Sequence, residues 1–152
     1  MKNEQNDLDS IEAGMLALHK TVYQHRGWED IQARAGITMD RASAALLKVV
    51  AQCDKQGCRM QQIAQTLGIE APSVTRTAQE LEHAGLIKRQ TDPDDKRASH
   101  VSLTKKGEQQ LAKLHKARRE RLEQALHGWP KSERQQFGKL LQRYAKDISE
   151  TY

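Results

Sequence analysis

Cysteine is nearly absent from this chain: two occur in 152 residues, Cys53 and Cys58. A lone pair excludes the zinc frameworks of small domains, which take four ligands. Aromatic residues are also scarce, with one Phe, two Trp and three Tyr. That argues against a protein that holds single strands by stacking bases on rings. No run approaches the ~18 consecutive apolar residues of a membrane span. The opening MKNEQNDLDS has no apolar signal-peptide core, so the expected location is cytoplasmic. Internal repeats and low-complexity tracts are missing. So are a Gly-rich phosphate loop, a nucleophile elbow and H-E-x-x-H, and neither an enzyme nor a cofactor is expected. The six histidines are scattered, with no pair at ligand spacing, and no metal site is expected. Charge is only modestly one-sided: a net +5 suits a polyanionic partner without demanding one.

What is present concentrates in residues 60–107. Met60, Ile63, Ala64 and Leu67 fall at i, i+3, i+4 and i+7, one apolar face of a helix. Gly68 supplies the left-handed residue that ends such a helix. Pro72 suits the first position of the next one, where its missing N–H costs nothing. In that second helix Val74, Ala78, Leu81 and Gly85 share a face, while Arg76, Gln79 and His83 point the other way and Ser73 and Glu80 flank them. An outward Arg and Gln near a helix start suit a major groove, since Arg bonds guanine bidentately and Gln bonds adenine. An ordinary solvated polar face explains the same residues, so the helix alone leaves both readings open.

The continuation favours the groove. Residues 86–90 read as a short strand, 91–97 as a turn by composition, and 100–103 as a returning strand. Thr104 is placed to cap a helix with Lys105, Lys106 and Gly107 in its first turn. The outline is a winged helix-turn-helix.

In these residues the chain resembles the MarR family of transcription regulators. The resemblance rests on Asp95-Lys96-Arg97, on Val101-Ser102-Leu103-Thr104-Lys105-Lys106-Gly107, on the helix start Pro72-Ser73-Val74-Thr75-Arg76, and on Leu86-Ile87. It covers the central half of the chain by motif and the rest by helix layout. It implies that Arg97 enters the minor groove from the wing tip, that Asp95 orients it, and that Ser73, Thr75, Arg76 and Gln79 face DNA. The helical wheel agrees for Arg76 and Gln79 and sets Thr75 to the side, as a phosphate contact rather than a base reader. Lys88, Lys96 and Lys105 complete the expected phosphate contacts.

On the N-terminal side, residues 1–7 are polar and expected to fray. Ile11, Met15, Leu18 and Val22 then form a stripe, widened by Leu8 and Leu16, on a helix that runs to about Ala35, where Gly36 stops it. Thr38 is the expected cap of the next helix, whose stripe is Ala42, Leu46, Val49 and Cys53. Residues 54–57 form a turn, and Cys58-Arg59 a third strand of the wing sheet. After the wing, a long helix to about His127 has a basic middle: Lys113, Lys116, Arg118, Arg119 and Arg121. Gly128-Trp129-Pro130 breaks it, and Phe137, Leu140, Leu141, Tyr144 and Ile148 line the last helix.

The expected fold is mainly α with a small β wing: a winged helix-turn-helix with N- and C-terminal dimerisation helices. Its divisions are residues 1–36, 37–107 and 108–152, the outer two for dimerisation. Two-fold pairing would bury the terminal stripes and set two recognition helices about 34 Å apart, one DNA turn. The expected function is a homodimeric repressor of a pseudo-palindromic double-stranded operator. The resemblance further implies a small-molecule effector between the dimerisation helices and the reading lobe, and His19, Tyr23 and Trp28 suit either such a cleft or plain core packing. Two alternatives remain open. One is a redox sensor using Cys53 and Cys58, although the family's peroxide-sensing branch keeps its reactive cysteine in the first helix. The other is a helical interaction protein that binds no DNA.

Overall fold

The computed structural model describes residues 2–23, 25–54, 57–91 and 99–151. The order is α1 (Lys2–Tyr23), α2 (His25–Ala35), α3 (Arg41–Ala51), β1 (Cys58–Arg59), α4 (Met60–Leu67), α5 (Ala71–His83), β2 (Ile87–Thr91), β3 (Ser99–Leu103), α6 (Lys105–Ala125) and α7 (Lys131–Ser149). The chain is mainly helical with one small antiparallel sheet of order β1-β3-β2. It divides into two compact units, Met1–Ala117 and Arg118–Tyr152. No helix among the described residues is long and apolar enough to cross a membrane.

The core of the first unit is built from the faces that periodicity marks. Leu46, Leu47, Val49 and Val50 of α3 meet Ile63 and Ala64 of α4 and Val74, Ala78 and Leu81 of α5. Ile87 and Val101 close the cluster from the sheet, and Leu111 from α6. Trp28, Ile31 and Ala35 of α2 pack with Ala44, Leu114 and Ala117 in a second cluster. The Trp28 ring N–H donates to the Met39 carbonyl at 2.8 Å, and the Arg41 guanidinium lies 5.8 Å from its ring centre. Trp28 is therefore a core residue with its one polar atom satisfied.

Several local expectations shift. Helix α1 begins at Lys2, not after residue 7. The cap of α3 is Asp40, extended at φ -75 and ψ 166, not Thr38: the Met39 N–H donates to Gln32 Oε1 at 2.7 Å and takes no part in the helix. Cys53 lies beyond the end of α3 instead of completing its stripe. Ala71 takes the first position of α5 and Pro72 the second. Gly85 leaves the helix at φ +71, so the apolar face of α5 ends at Leu81. Helix α6 ends at Ala125, two residues short of His127.

The α3 cap carries a prediction. Asp40 accepts from the Ser43 N–H at 2.8 Å and the Ser43 hydroxyl at 2.7 Å. Partial burial works to raise its pKa, but these bonds and that of the Ala42 N–H outweigh it, so the carboxyl titrates below its ordinary value. A depressed folded pKa stabilises above the unfolded pKa, and the contribution is lost as pH falls through the folded value. Asp40→Ala is expected to cost about 0.5–2 kcal/mol near neutral pH. The gap to the parent in urea melts should close below about pH 4. A gap of constant size would show that the carboxylate charge contributes nothing.

Candidate nucleic-acid interface

Helix α5 is aimed by its two ends. Gly68, at φ 64 and ψ 32, turns the chain out of α4, and the Ile69 N–H reaches back to the Ala64 carbonyl at 3.2 Å. At the far end the Leu86 N–H bonds the Leu81 carbonyl at 2.9 Å across the Gly85 turn. With Val74, Ala78 and Leu81 buried, Ser73, Arg76 and Gln79 are left exposed together on the opposite face. Thr75 is half-buried, and its hydroxyl donates to the Ala71 carbonyl at 2.9 Å. Since a phosphate oxygen only accepts, a Thr75 contact requires that proton to leave Ala71.

Electrostatics on this face are mixed. Arg76 lies 3.8 Å from Glu80, with the two side chains 83% and 60% exposed. Such a pair is worth at most about 1 kcal/mol, so Arg76 exchanges it readily for a better acceptor. Glu82 sits 3.0 Å from Arg89. Glu70 occupies the N-cap without a side-chain cap bond, where its charge opposes an incoming phosphate.

Strands β2 and β3 pair from Ile87↔Leu103 to Thr91↔Ser99. Asp95, Lys96 and Arg97 lie outside the described residues. Lys88 is exposed on β2 and Lys105 at the start of α6. Thr104 joins the wing to α6: its hydroxyl donates to the Gly85 carbonyl at 2.7 Å and accepts from the Gly107 N–H at 3.1 Å. Gly107 is buried against the Leu86 carbonyl, and a Cβ would overlap that oxygen. That close approach explains the glycine in this turn.

Two cations escape the sequence reading. Lys106 donates to the Ala84 carbonyl at 2.8 Å, closing the C-terminus of α5, where a cation also meets the negative end of the helix. Arg89 shares the inner face of β2 with Ile87, and its Nε and Nη2 are buried without hydrogen bonds despite the nearby Glu82 carboxylate. The period of two along β2 could have flagged Arg89; nothing local marks Lys106. In the basic middle of α6, Lys113 and Lys116 are exposed, while Arg119 pairs with Glu123 at 3.3 Å. No cluster of metal-ligating side chains occurs among the described residues.

This geometry has known counterparts. A family model described as MarR family matches residues 44–99. The uncharacterized HTH-type transcriptional regulator YxaD of Bacillus subtilis strain 168 is 34% identical over 144 residues, covering 93% of this chain and 95% of that protein. Among solved structures, a MarR family protein from Bacillus stearothermophilus superposes with a TM-score of 0.77 at 16% identity, covering 98% of both chains. The YusO protein from Bacillus subtilis does so with a TM-score of 0.69 at 19% identity, covering 93% of this chain and 96% of its own.

Proposed function

This chain belongs to the MarR family of DNA-binding transcription regulators, which are not enzymes, and from that premise we propose that it is a homodimeric repressor of a pseudo-palindromic operator. The observation that carries the reading is the outward face of α5, where Ser73, Arg76 and Gln79 stand free of the core beside the wing sheet. Arg76 and Gln79 read base edges in the major groove, and Ser73 and Thr75 contact the backbone. Arg97, oriented by Asp95, enters the minor groove, where narrow A·T tracts concentrate negative potential. Lys88, Lys96 and Lys105 contact phosphate. A dimer seated across a promoter excludes polymerase, hence repression in the cytoplasm.

Dimerisation falls to residues 1–36 and 108–152, on either side of the reading domain at 37–107. The support is apolar surface left uncovered: Leu8, Ile11, Met15 and Leu18 on α1, and Phe137, Leu140, Leu141, Tyr144 and Ile148 on α7. Release follows from a small-molecule effector with different affinities for the two spacings of the reading heads.

The test is a mobility-shift titration on DNA from upstream of the protein's own gene, with unrelated duplex as competitor. Specific binding should survive the competitor. It should also weaken by about 10³-fold or more between about 50 and about 200 mM salt, as expected for 6–10 phosphate contacts. Binding to a protein partner with a flat salt response would favour the helical interaction reading instead.

A further inference from the structure

Cys53 and Cys58 are joined by a disulfide, with Cα atoms 5.6 Å apart. We propose that this bridge is a thiol–disulfide switch, opened by a low-molecular-weight thiol that enters the cleft beside Cys53, and that the bridged form grips DNA more tightly. The proposal rests on the DNA-binding reading above.

The bridge ties the chain just beyond α3 to β1, a strand of two residues held to β3 by only two register pairs, Cys58↔Val101 and Arg59↔His100. Helix α4 starts immediately after it. The bridge is thus a covalent tie at the point where the wing sheet meets the first helix of the helix-turn-helix. Opening it leaves β1 to that short pairing and loosens the elements that present α5. The bridged form is the preorganised one, and preorganisation lowers the cost of binding.

Access to the bridge is one-sided. Cys58 is fully buried, whereas Cys53 is half-buried. Cys53 also lines a cleft of about 560 Å³, along with Lys88, Gln90 and Ser102 of the sheet and His115 of α6. Asp54 and Glu108 line it too, so the cleft has no single sign of charge to exclude a zwitterionic thiol. An incoming thiolate therefore attacks the Cys53 sulfur. The Cys53–Cys58 bond breaks, a mixed disulfide forms at Cys53, and Cys58 leaves as a thiolate that takes a proton. A second thiolate attacks the small-thiol sulfur of that mixed disulfide and frees Cys53. In balance, two small thiols become one small disulfide and the protein disulfide becomes two thiols. Closure is the reverse exchange, with the small disulfide as oxidant.

A DNA regulator works where thiols are kept reduced, and disulfides that form there are usually transient and redox-sensing, not structural.

The test compares bridged protein, protein reduced by glutathione, and Cys53→Ser on the same upstream duplex, with thiols counted by alkylation. Glutathione is expected to open the bridge without denaturant. The reduced form should bind more weakly by a factor between about 5 and about 150, the usual span of coupling between two sites. Cys53→Ser should match the reduced form and ignore glutathione. A bridge that opens only on unfolding, equal affinities in the two states, or a glutathione response that persists in Cys53→Ser each overturns the switch while leaving the regulator intact. Failure of every form to bind any duplex overturns the regulator reading, and the switch with it.

Discussion

Leu140→Asp combined with Leu141→Asp is expected to turn the protein into a monomer and to weaken operator binding by about 10²- to 10⁴-fold, the usual gain from linking two binding events. Helix α7 is 19 residues long and has no buried side chain. Its stripe of Phe137, Leu140, Leu141, Tyr144 and Ile148 is 39–55% exposed. Contiguous apolar surface of this kind marks an interface. The aromatic pair Trp129 and Phe137, with ring centres 5.7 Å apart, extends it towards the turn before α7. Both leucines already face outward, so charging them removes no packing within the unit, and helicity by circular dichroism should be unchanged. Sedimentation should give twice 17.3 kDa for the parent and 17.3 kDa for the variant. A parent that sediments as a monomer, or a variant that still dimerises and still binds, would remove α7 from the mechanism.

That stripe was legible in the sequence because it obeys a local rule, and the local rules account for most of this fold. The spacing of Met60, Ile63 and Ala64, the stop at Gly68, the two wing strands and the cap at Thr104 each depend on a few neighbouring residues. The shifted expectations are those in which a distant group decides. Thr38 and Asp40 are both good cap residues, and the sequence cannot separate them. The choice falls to Asp40 because Trp28 and Gln32 of α2 bond the Met39 backbone and keep it out of the helix. The α5 stripe could be drawn through Gly85 on a wheel, but a wheel does not know that Gly85 turns left-handed. The pairing of Lys106 with Ala84 spans 22 positions and leaves no local trace. At the candidate interface, Arg76 and Gln79 were legible as outward residues; the Glu80 carboxylate beside Arg76 emerged only with side-chain geometry.

Arg76→Ala and Arg97→Ala are expected to weaken operator binding by similar amounts, about 1–3 kcal/mol each, but to change specificity in different ways. Arg76 is proposed to bond one guanine bidentately. Its loss should flatten the preference at a single base pair of each half-site and leave the other positions intact. The Glu80 contact is long and exposed, so giving it up recovers little of that loss. Arg97 is proposed to sense groove width and potential rather than a base edge. Its loss should lower affinity most on operators with A·T-rich flanks and least on G·C-rich ones, with no single position losing its preference. A binding matrix from a randomised half-site, collected for parent and both variants, separates the two signatures. Uniform weakening across all sequences by Arg76→Ala would reduce that residue to a phosphate contact. An Arg97→Ala loss too small to measure would take the wing tip out of recognition and leave α5 to carry specificity by itself.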